Sequence, residues 1–250
     1  IINTNDQENP VTIQGTLNLT DDDGLDISSG SYLSVTGDMA YGGNGELLIR
    51  DESILEAAGD INLPDGRDFV MQAGGTLIMS GDGNDINLNS PDNGITIIAS
   101  PNNRATITGN DWGCINADNG EILILHCDID HGGRNNPLFN LSSVDRFYLG
   151  SSNIESISND AIVIPANNAI GEFTVESCSF TAIGGSAVKI SDLEPQQGRL
   201  TAEINNCSID NAHHSGIEIF GDIPDGTLKV SANRIFNCTR YGVHVVGDAN

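Results

Sequence analysis

The chain has 250 residues, with 35 acidic against 10 basic side chains and a formal net charge of -25. Nucleic acid and anionic membrane surfaces are disfavoured as partners, because binding to either needs a concentration of Lys and Arg that this chain lacks. No apolar run approaches the roughly 20 residues of a membrane span, so membrane insertion is not expected. The chain begins at Ile1 with neither a methionine nor a signal peptide, which predicts a processed product or a fragment of a longer chain.

Residues 1–120 are predicted to form short strands separated by tight turns. Apolar and polar residues alternate, as in strands with one buried face, at residues 16–19, 25–27, 32–35, 60–63 and 85–88. Gly, Asn and Asp clusters, which accept positive φ and turn the chain, lie at residues 21–24, 42–45, 81–84 and 92–94. A helix over residues 52–58 would be marginal at that length. We therefore predict another coil of strands and turns there.

Residues 121–250 contain one pattern five times. Each copy has an apolar pair, a small or polar residue three places on and an apolar residue two further. In the last four copies a second apolar pair follows eight residues later. The first pairs are Ile122/Ile124, Phe147/Leu149, Phe173/Val175, Ala202/Ile204 and Leu228/Val230. Equivalent residues recur at steps of 25, 26, 29 and 26, a self-similarity that indicates a solenoid.

The constant columns favour a coil over a sandwich, because a hairpin sandwich would not keep like residues in one column across several repeats. Successive circuits would stack and pair in parallel at about 4.8 Å. We predict an all-β, right-handed, single-stranded parallel β-helix of about ten coils. One domain spans residues 1–250, with less regular coils at 1–120 and five regular coils at 121–250. Variable segments at 165–171 and 191–198 follow the second pair, where insertions and binding loops are expected.

Four of the five cysteines fit the repeat as core residues. Cys127, Cys178 and Cys207 share one inward column and Cys238 falls in another, and buried cysteine behaves as a small hydrophobe. The spacing contains no CxxC or Cys/His zinc motif. We expect free thiols, with Cys178 and Cys207, on adjacent coils, as the pair most able to form a disulfide.

Two motifs have counterparts in every coil from residue 121 onward: NCSID at 206–210 and SGIEI at 215–219. Upstream, GITIIAS and ATITG occupy parts of residues 94–109. These motifs resemble those of the right-handed parallel β-helix, or pectin-lyase-like, proteins over residues 94–250, and loosely elsewhere. The resemblance implies the fold, and it implies that the strand carrying Ile217 and Ile219 forms a groove face where carbohydrate commonly binds.

The catalytic motifs of that group are not matched. Its pectate lyases and galacturonases have clustered aspartates, a His between glycines or an Arg/Lys motif on the groove strand. The nearest fragment here is DHG at 130–132, which has no partner motif. The opening at 94–109 is similar to the alginate-lyase-like branch, but no corresponding Lys and Arg pair follows. These differences argue against hydrolysis and elimination.

One outward row is nevertheless a candidate site. If the second apolar pairs point inward, Lys189, Glu218 and His244 point outward from three successive coils, in a row some 10 Å long. His244 as a base, with Lys189 stabilising the developing anion, would suit elimination on a uronate. The commoner alternative is a solvated face in which Glu218 pairs with Lys189. A glycosidase would need two carboxylates, and the row offers only Glu218.

A second candidate row consists of Asp192, Asp222 and Asp248, which follow the groove strand by two or three residues. Carboxylates stacked at coil spacing repel one another, so they either extend into water or bind a cation such as Ca²⁺. Turn chemistry alone also explains the two Gly-Asp pairs, Gly221-Asp222 and Gly247-Asp248. Among the aromatic residues, Trp112 and Tyr241 either stack on sugars or, as we expect, pack over the coil edge.

The expected function is a secreted or cell-surface scaffold of adhesion type that binds polysaccharide along the groove strand. The alternative is a polysaccharide lyase acting on uronate-containing glycans, with or without Ca²⁺. The chain ends just after a groove strand, so the last coil has unpaired strand edges. These edges predict end-to-end self-association.

Overall fold

The computed structural model describes residues 1, 10–19, 24–41, 45–63, 68–88, 90, 92–166, 168–191, 193–195, 201–221, 223 and 228–247. Within these ranges the regular structure is β-strand. The strands as far as residue 125 are β1 (Val11–Ile13), β2 (Leu17–Leu19), β3 (Leu25–Ile27), β4 (Tyr32–Val35), β5 (Met39–Tyr41), β6 (Leu47–Ile49), β7 (Ile54–Ala57), β8 (Ile61–Leu63), β9 (Asp68–Met71), β10 (Thr76–Met79), β11 (Ile86–Leu88), β12 (Gly94–Ile98), β13 (Ala105–Gly109), β14 (Ile115–Ala117) and β15 (Glu121–Leu125). The remaining strands are β16 (Cys127–Asp130), β17 (Phe139–Leu141), β18 (Arg146–Gly150), β19 (Asn153–Ile157), β20 (Ile162–Ile164), β21 (Asn168–Ile170), β22 (Glu172–Glu176), β23 (Ser179–Ile183), β24 (Val188–Ser191), β25 (Leu193–Pro195), β26 (Thr201–Asn205), β27 (Ser208–Ala212), β28 (Ile217–Phe220), β29 (Leu228–Ser231), β30 (Arg234–Phe236) and β31 (Val243–Val246).

Three long parallel sheets form the walls of a β-helix. Sheet 1 has the order β1-β4-β7-β10-β13-β16-β19-β23-β27-β30, and sheet 2 has the order β2-β5-β8-β11-β14-β17-β20-β24-β28-β31. Sheet 3 runs from β3 through β6, β9, β12, β15, β18, β22 and β26 to β29. The predicted fold class, an all-β parallel β-helix, is confirmed. Because the described part of sheet 3 has nine strands, complete circuits are slightly fewer than the expected ten or so.

The core consists of the inward residues of all three sheets, stacked in register. Ile122, Phe147 and Phe173 follow one another on neighbouring strands, as the repeat predicted. The rings of Phe147 and Phe173 stack with their centroids 5.4 Å apart. The cluster of buried residues continues from Leu25 to Ile219. Each large apolar side chain buried in this way contributes about 1.5–3 kcal/mol relative to exposure.

The corner from sheet 3 to sheet 1 is made by a single residue with left-handed backbone conformation. The corner residues are His126 (φ 55), Ser151 (φ 48), Ser177 (φ 55), Asn206 (φ 53) and Ala232 (φ 55). The residue after each corner points inward, and Ser152 uses that position to accept a hydrogen bond from the amide of Cys127 at 3.1 Å. Asn233 accepts from the amide of Cys207 in the same way, at 2.9 Å. This contact explains how the polar side chains of Ser152 and Asn233 are accommodated in the column.

All five cysteines are free thiols, and Cys127, Cys178 and Cys207 are buried, as predicted. Residues 52–58 contain strand β7 rather than a helix, which is also as predicted. The described ranges hold no helix able to cross a membrane.

The two aromatic residues on turns have different environments. Trp112 is fully buried, and its indole Nε1 donates to the carbonyl of Asp130 at 2.8 Å. Tyr241 is 52% exposed. The expected packing against the coil is therefore confirmed for Trp112, whereas Tyr241 presents about half of its surface to solvent.

The inward residues of the last described coil are uncovered. Val243 and Val245 are 47% and 62% exposed, although they continue the column of the buried Ile217 and Ile219. Strands β29, β30 and β31 each lie at the end of their sheet in the described chain.

Candidate functional site

The outer face of sheet 2 presents one side chain per coil. Its three-residue strands β8, β11, β14, β17 and β20 have the pattern buried, half-buried, buried, so their central residue faces outward. In register, the residues at this position from β8 to β31 form one row, which we call the outer column: Asn62, Asn87, Asn116, Asn140, Val163, Lys189, Glu218 and His244. At about 4.8 Å per coil, the outer column is about 34 Å long.

The three candidate residues lie together in this column. Lys189 pairs in register with Glu218, and Glu218 pairs with His244. The sequence therefore placed all three on adjacent strands of one face. It did not indicate the contacts that each side chain makes.

Lys189 is engaged by a carboxylate outside the column. Its Nζ lies 3.6 Å from Oδ2 of Asp160, a residue in the turn before β20. The other oxygen of Asp160 accepts a hydrogen bond from the amide of Ser186 at 2.6 Å, which holds the carboxylate in place. The expected alternative was an ion pair of Lys189 with Glu218. Among the described side chains this pair is absent, and Asp160 is the partner of Lys189 instead.

Glu218 is unusual because its carboxylate is removed from solvent. It is 5% exposed, and it is the only buried charged residue in the described part of the chain. Its Oε1 accepts a hydrogen bond from the hydroxyl of Ser215 at 2.8 Å, and Ser215 is itself fully buried. Removing a carboxylate from water is costly unless hydrogen bonds replace its hydration. A neutral hydroxyl donor supplies part of that replacement here.

His244 is packed among aromatic rings. It stacks on Tyr241 with ring centroids 4.4 Å apart and an interplanar angle of 22°. It also meets Phe220 edge-on, at 5.7 Å and 87°. The exposed side of Tyr241 is therefore backed by the imidazole, which gives this end of the outer column a flat aromatic surface.

The other end of the outer column is a ladder of asparagine amides. Asn87 Nδ2 donates to Asn62 Oδ1 at 3.0 Å, Asn116 Nδ2 to Asn87 Oδ1 at 3.0 Å, and Asn140 Nδ2 to Asn116 Oδ1 at 3.2 Å. Asn116 Nδ2 also lies 3.3 Å from Oδ2 of Asp85. The ladder was not predicted. Its signal was present in the sequence as the recurring triplets INL, INL, INA and FNL at the centres of successive sheet 2 strands.

Two variable segments after sheet 2 strands pair with each other. Strands β21 and β25 form a small parallel sheet in which Asn168 is the register partner of Leu193. They follow β20 and β24, so the insertions occur where the repeat predicted them. This small sheet adds structure at the edge of sheet 2, the sheet that carries the outer column.

The predicted calcium row lies outside the described residues, because Asp192, Asp222 and Asp248 all fall in gaps. In the described ranges, no cluster of three or more His, Cys, Asp or Glu side chains has an arrangement suited to a metal ion. The calcium hypothesis for the three aspartates therefore stays a prediction.

The sequence matches no protein family model, and neither a curated protein nor a solved structure matches it. The parallel β-helix is established by the strand topology. The likeness to the pectin-lyase-like group remains a resemblance carried by the motifs of residues 94–250.

Proposed function

We propose that this protein is a secreted or cell-surface β-helix scaffold of adhesion type that binds polysaccharide along the outer column of sheet 2. The observation that carries the proposal is the composition of that column. In a chain with a net charge of -25, its eight members include one carboxylate, one ammonium group and four amides. A nearly neutral strip about 34 Å long suits an extended glycan better than a charged polymer.

The side chains of the column, together with Tyr241 beside His244, offer the two kinds of contact that sugars use. Asn87 and Asn140 each donate one amide N–H within the ladder, so a second N–H can donate to a sugar hydroxyl. Tyr241 offers an apolar ring face. Each contact is weak, but contacts repeated along one chain add through a high effective concentration. The resemblance to the pectin-lyase-like group supports the same face.

The test is binding to a panel of neutral and uronate polysaccharides, measured by titration calorimetry. We expect the double variant Asn87→Ala/Asn140→Ala and the single variant Tyr241→Ala each to bind at least several-fold more weakly than the parent protein. Asn153→Ala, an exposed amide on sheet 1, is the matched control and should bind normally. Equal affinity in all four proteins would exclude the outer column as the glycan site.

A polysaccharide lyase is the second candidate, favoured by the register of Lys189, Glu218 and His244 and by the burial of Glu218. In this mechanism His244 removes the proton beside a uronate carboxylate, and Lys189 stabilises the resulting anion. Lys189 would have to exchange Asp160 for the substrate. The assay follows the absorbance of the unsaturated product with and without Ca²⁺. Turnover that is lost in Lys189→Ala and in His244→Ala would replace the scaffold proposal, whereas binding without turnover would eliminate the lyase.

We also propose end-to-end self-association through the uncovered coil at β29, β30 and β31. Exposed Val243 and Val245, next to strand edges without a described neighbour, support it. Size-exclusion chromatography should show the apparent mass of the 250-residue chain rising with concentration. A monomer at high concentration would contradict the proposal.

A further inference from the structure

Cys178 and Cys207 are the only two cysteines that occupy adjacent coils in the same inward column. The next coil in one direction has Ser152 in this column, which separates Cys178 from Cys127. In the other direction the column continues with Asn233. Both residues are 2% exposed, and each sulfur lies against a backbone carbonyl of the core: Cys178 Sγ is 3.3 Å from the Leu149 oxygen and Cys207 Sγ is 3.6 Å from the Val175 oxygen.

The backbones of the two coils are joined next to these cysteines. The amide of Ser208 donates to the carbonyl of Cys178 at 2.8 Å, and Ser179 and Ser208 are register partners. Neighbouring parallel strands lie about 4.8 Å apart, within the Cα separation of about 4.4–6.8 Å that a disulfide spans. In-register Cβ atoms lie somewhat farther apart than the usual value of about 3.8 Å, and the strain this causes makes such a bond easier to reduce.

The two thiols also influence each other's ionisation. The hydrogen bond with Cys178 lowers the pKa of Cys207, because the neighbouring S–H stabilises the thiolate. The same contact, followed by burial, raises the pKa of Cys178. Cys207 is therefore the better attacking thiolate of the pair.

We propose that Cys178 and Cys207 form a reversible inter-coil disulfide when the protein meets a low-molecular-weight disulfide such as oxidised glutathione. The Cys207 thiolate attacks one glutathione sulfur and releases one glutathione thiolate. Cys178 then loses its proton and attacks the Cys207 sulfur of the mixed disulfide, which releases the second glutathione. The protein loses two electrons and two protons, and the glutathione disulfide gains them as two thiols. The buried corner has to open locally for the exchange, or the exchange precedes closure of the coils during folding.

The test counts thiols in the full chain after refolding in a glutathione buffer with the oxidised form in excess. Labelling with a maleimide under denaturing conditions should modify three of the five cysteines, against all five in the reduced protein. Peptide mapping should recover Cys178 linked to Cys207. Labelling of all five, or a bridge between any other two, would overturn the proposal.

Two variants sharpen the test. Cys178→Ser, which copies the natural Ser152 of the same column, should keep all its remaining thiols free. Cys114→Ser removes a cysteine from another position and should still lose two thiols. Oxidation should also raise the thermal midpoint of the parent protein and of Cys114→Ser, but not that of Cys178→Ser, because a bridge constrains the unfolded chain. Equal midpoints in the oxidised and reduced parent protein would show that the folded helix does not accommodate the bond.

Discussion

Lys189 Nζ lies 3.6 Å from Asp160 Oδ2, although the register partner of Lys189 on the next strand is Glu218. The cation of the outer column is thus neutralised from the preceding turn, and Glu218 accepts from Ser215 instead. Lys189 and Glu218 therefore each contact a residue outside the column rather than each other.

Asp160→Asn should therefore change binding more than stability. The asparagine keeps an oxygen for the amide of Ser186 but no longer neutralises Lys189, so affinity for a uronate polymer should rise several-fold. Stability should change by no more than about 1 kcal/mol, because the Lys189 side chain is partly exposed. Titration calorimetry and urea unfolding measure the two effects. Asp128→Asn, which loses the partner of Arg104 on sheet 1, is the control and should leave affinity unchanged. Unchanged affinity in Asp160→Asn would contradict the claim that Asp160 neutralises Lys189.

Ser215→Ala should destabilise the protein by about 1–3 kcal/mol, because it leaves the buried Glu218 carboxylate without its hydroxyl donor. The loss of stability caused by Ser215→Ala should be smaller in a Glu218→Gln background, because a buried neutral amide depends less on the missing hydrogen bond than a buried carboxylate does. Urea unfolding of the two single variants and the double variant measures this coupling. Ser34→Ala, on the outer face of sheet 1, is the control. Identical costs in both backgrounds would mean that Ser215 acts independently of Glu218.

The contribution of each ladder asparagine to stability should depend on how many ladder hydrogen bonds it makes. Asn87→Ala removes two ladder hydrogen bonds, whereas Asn140→Ala removes one, because Val163 follows it in the column. At about 0.5–1.5 kcal/mol for each bond, the denaturation midpoint should fall about twice as far for Asn87→Ala. Circular dichroism during urea unfolding measures both midpoints. An equal or larger effect at Asn140 would argue against a hydrogen-bonded ladder.

The repeat predicted the fold because inward positions carry a chemical constraint that recurs. Phe147 lies over Ile122, and Ile190 under Ile219, since only apolar residues fit a column with no solvent. The same register placed Lys189 beside Glu218 without any structural information. Register alone therefore predicts which strand position an outward residue occupies and which residue lies beside it.

The contacts of those outward residues could not be predicted, because they depend on turns. Asp160, the ion-pair partner of Lys189, lies in a turn whose conformation the strand pattern does not predict. The burial of Glu218 likewise depends on side-chain conformations around it. The asparagine ladder is different: Asn62 and Asn87 stand in identical INL triplets, so a comparison of the outward positions would have found it.

Tyr148 should titrate well above an ordinary tyrosine. Burial, then the hydrogen bond to Glu176 and its negative charge, raise the pKa of Tyr148 from 10.0 to about 12. Because the folded-state pKa is the higher one, this group contributes its full stability below about pH 10 and loses it as the pH rises towards 12. Glu176→Gln should lower the pKa only in part, since burial persists.

Phenolate absorbance during alkaline titration measures this shift, with Tyr148→Phe identifying the signal. Glu56→Gln is the matched control, because Glu56 accepts a hydrogen bond from Tyr32, another tyrosine whose pKa is raised to about 12. It should change the titration of Tyr32 and leave that of Tyr148 in place. An unchanged Tyr148 pKa in Glu176→Gln would assign the whole shift to burial.

Trp112 is the single tryptophan of the chain, and it should report on folding rather than on ligand binding. Because the indole is fully buried and donates to Asp130, its emission should be blue-shifted, resist acrylamide quenching and stay constant when polysaccharide is added. Trp112→Ala should cost about 3–5 kcal/mol through the cavity that it leaves, measured by circular dichroism during urea unfolding. Tyr241→Ala, at an exposed ring, should cost far less and is the control. Ready quenching, or an emission change on glycan binding, would place the indole at the surface and contradict the packing of this coil.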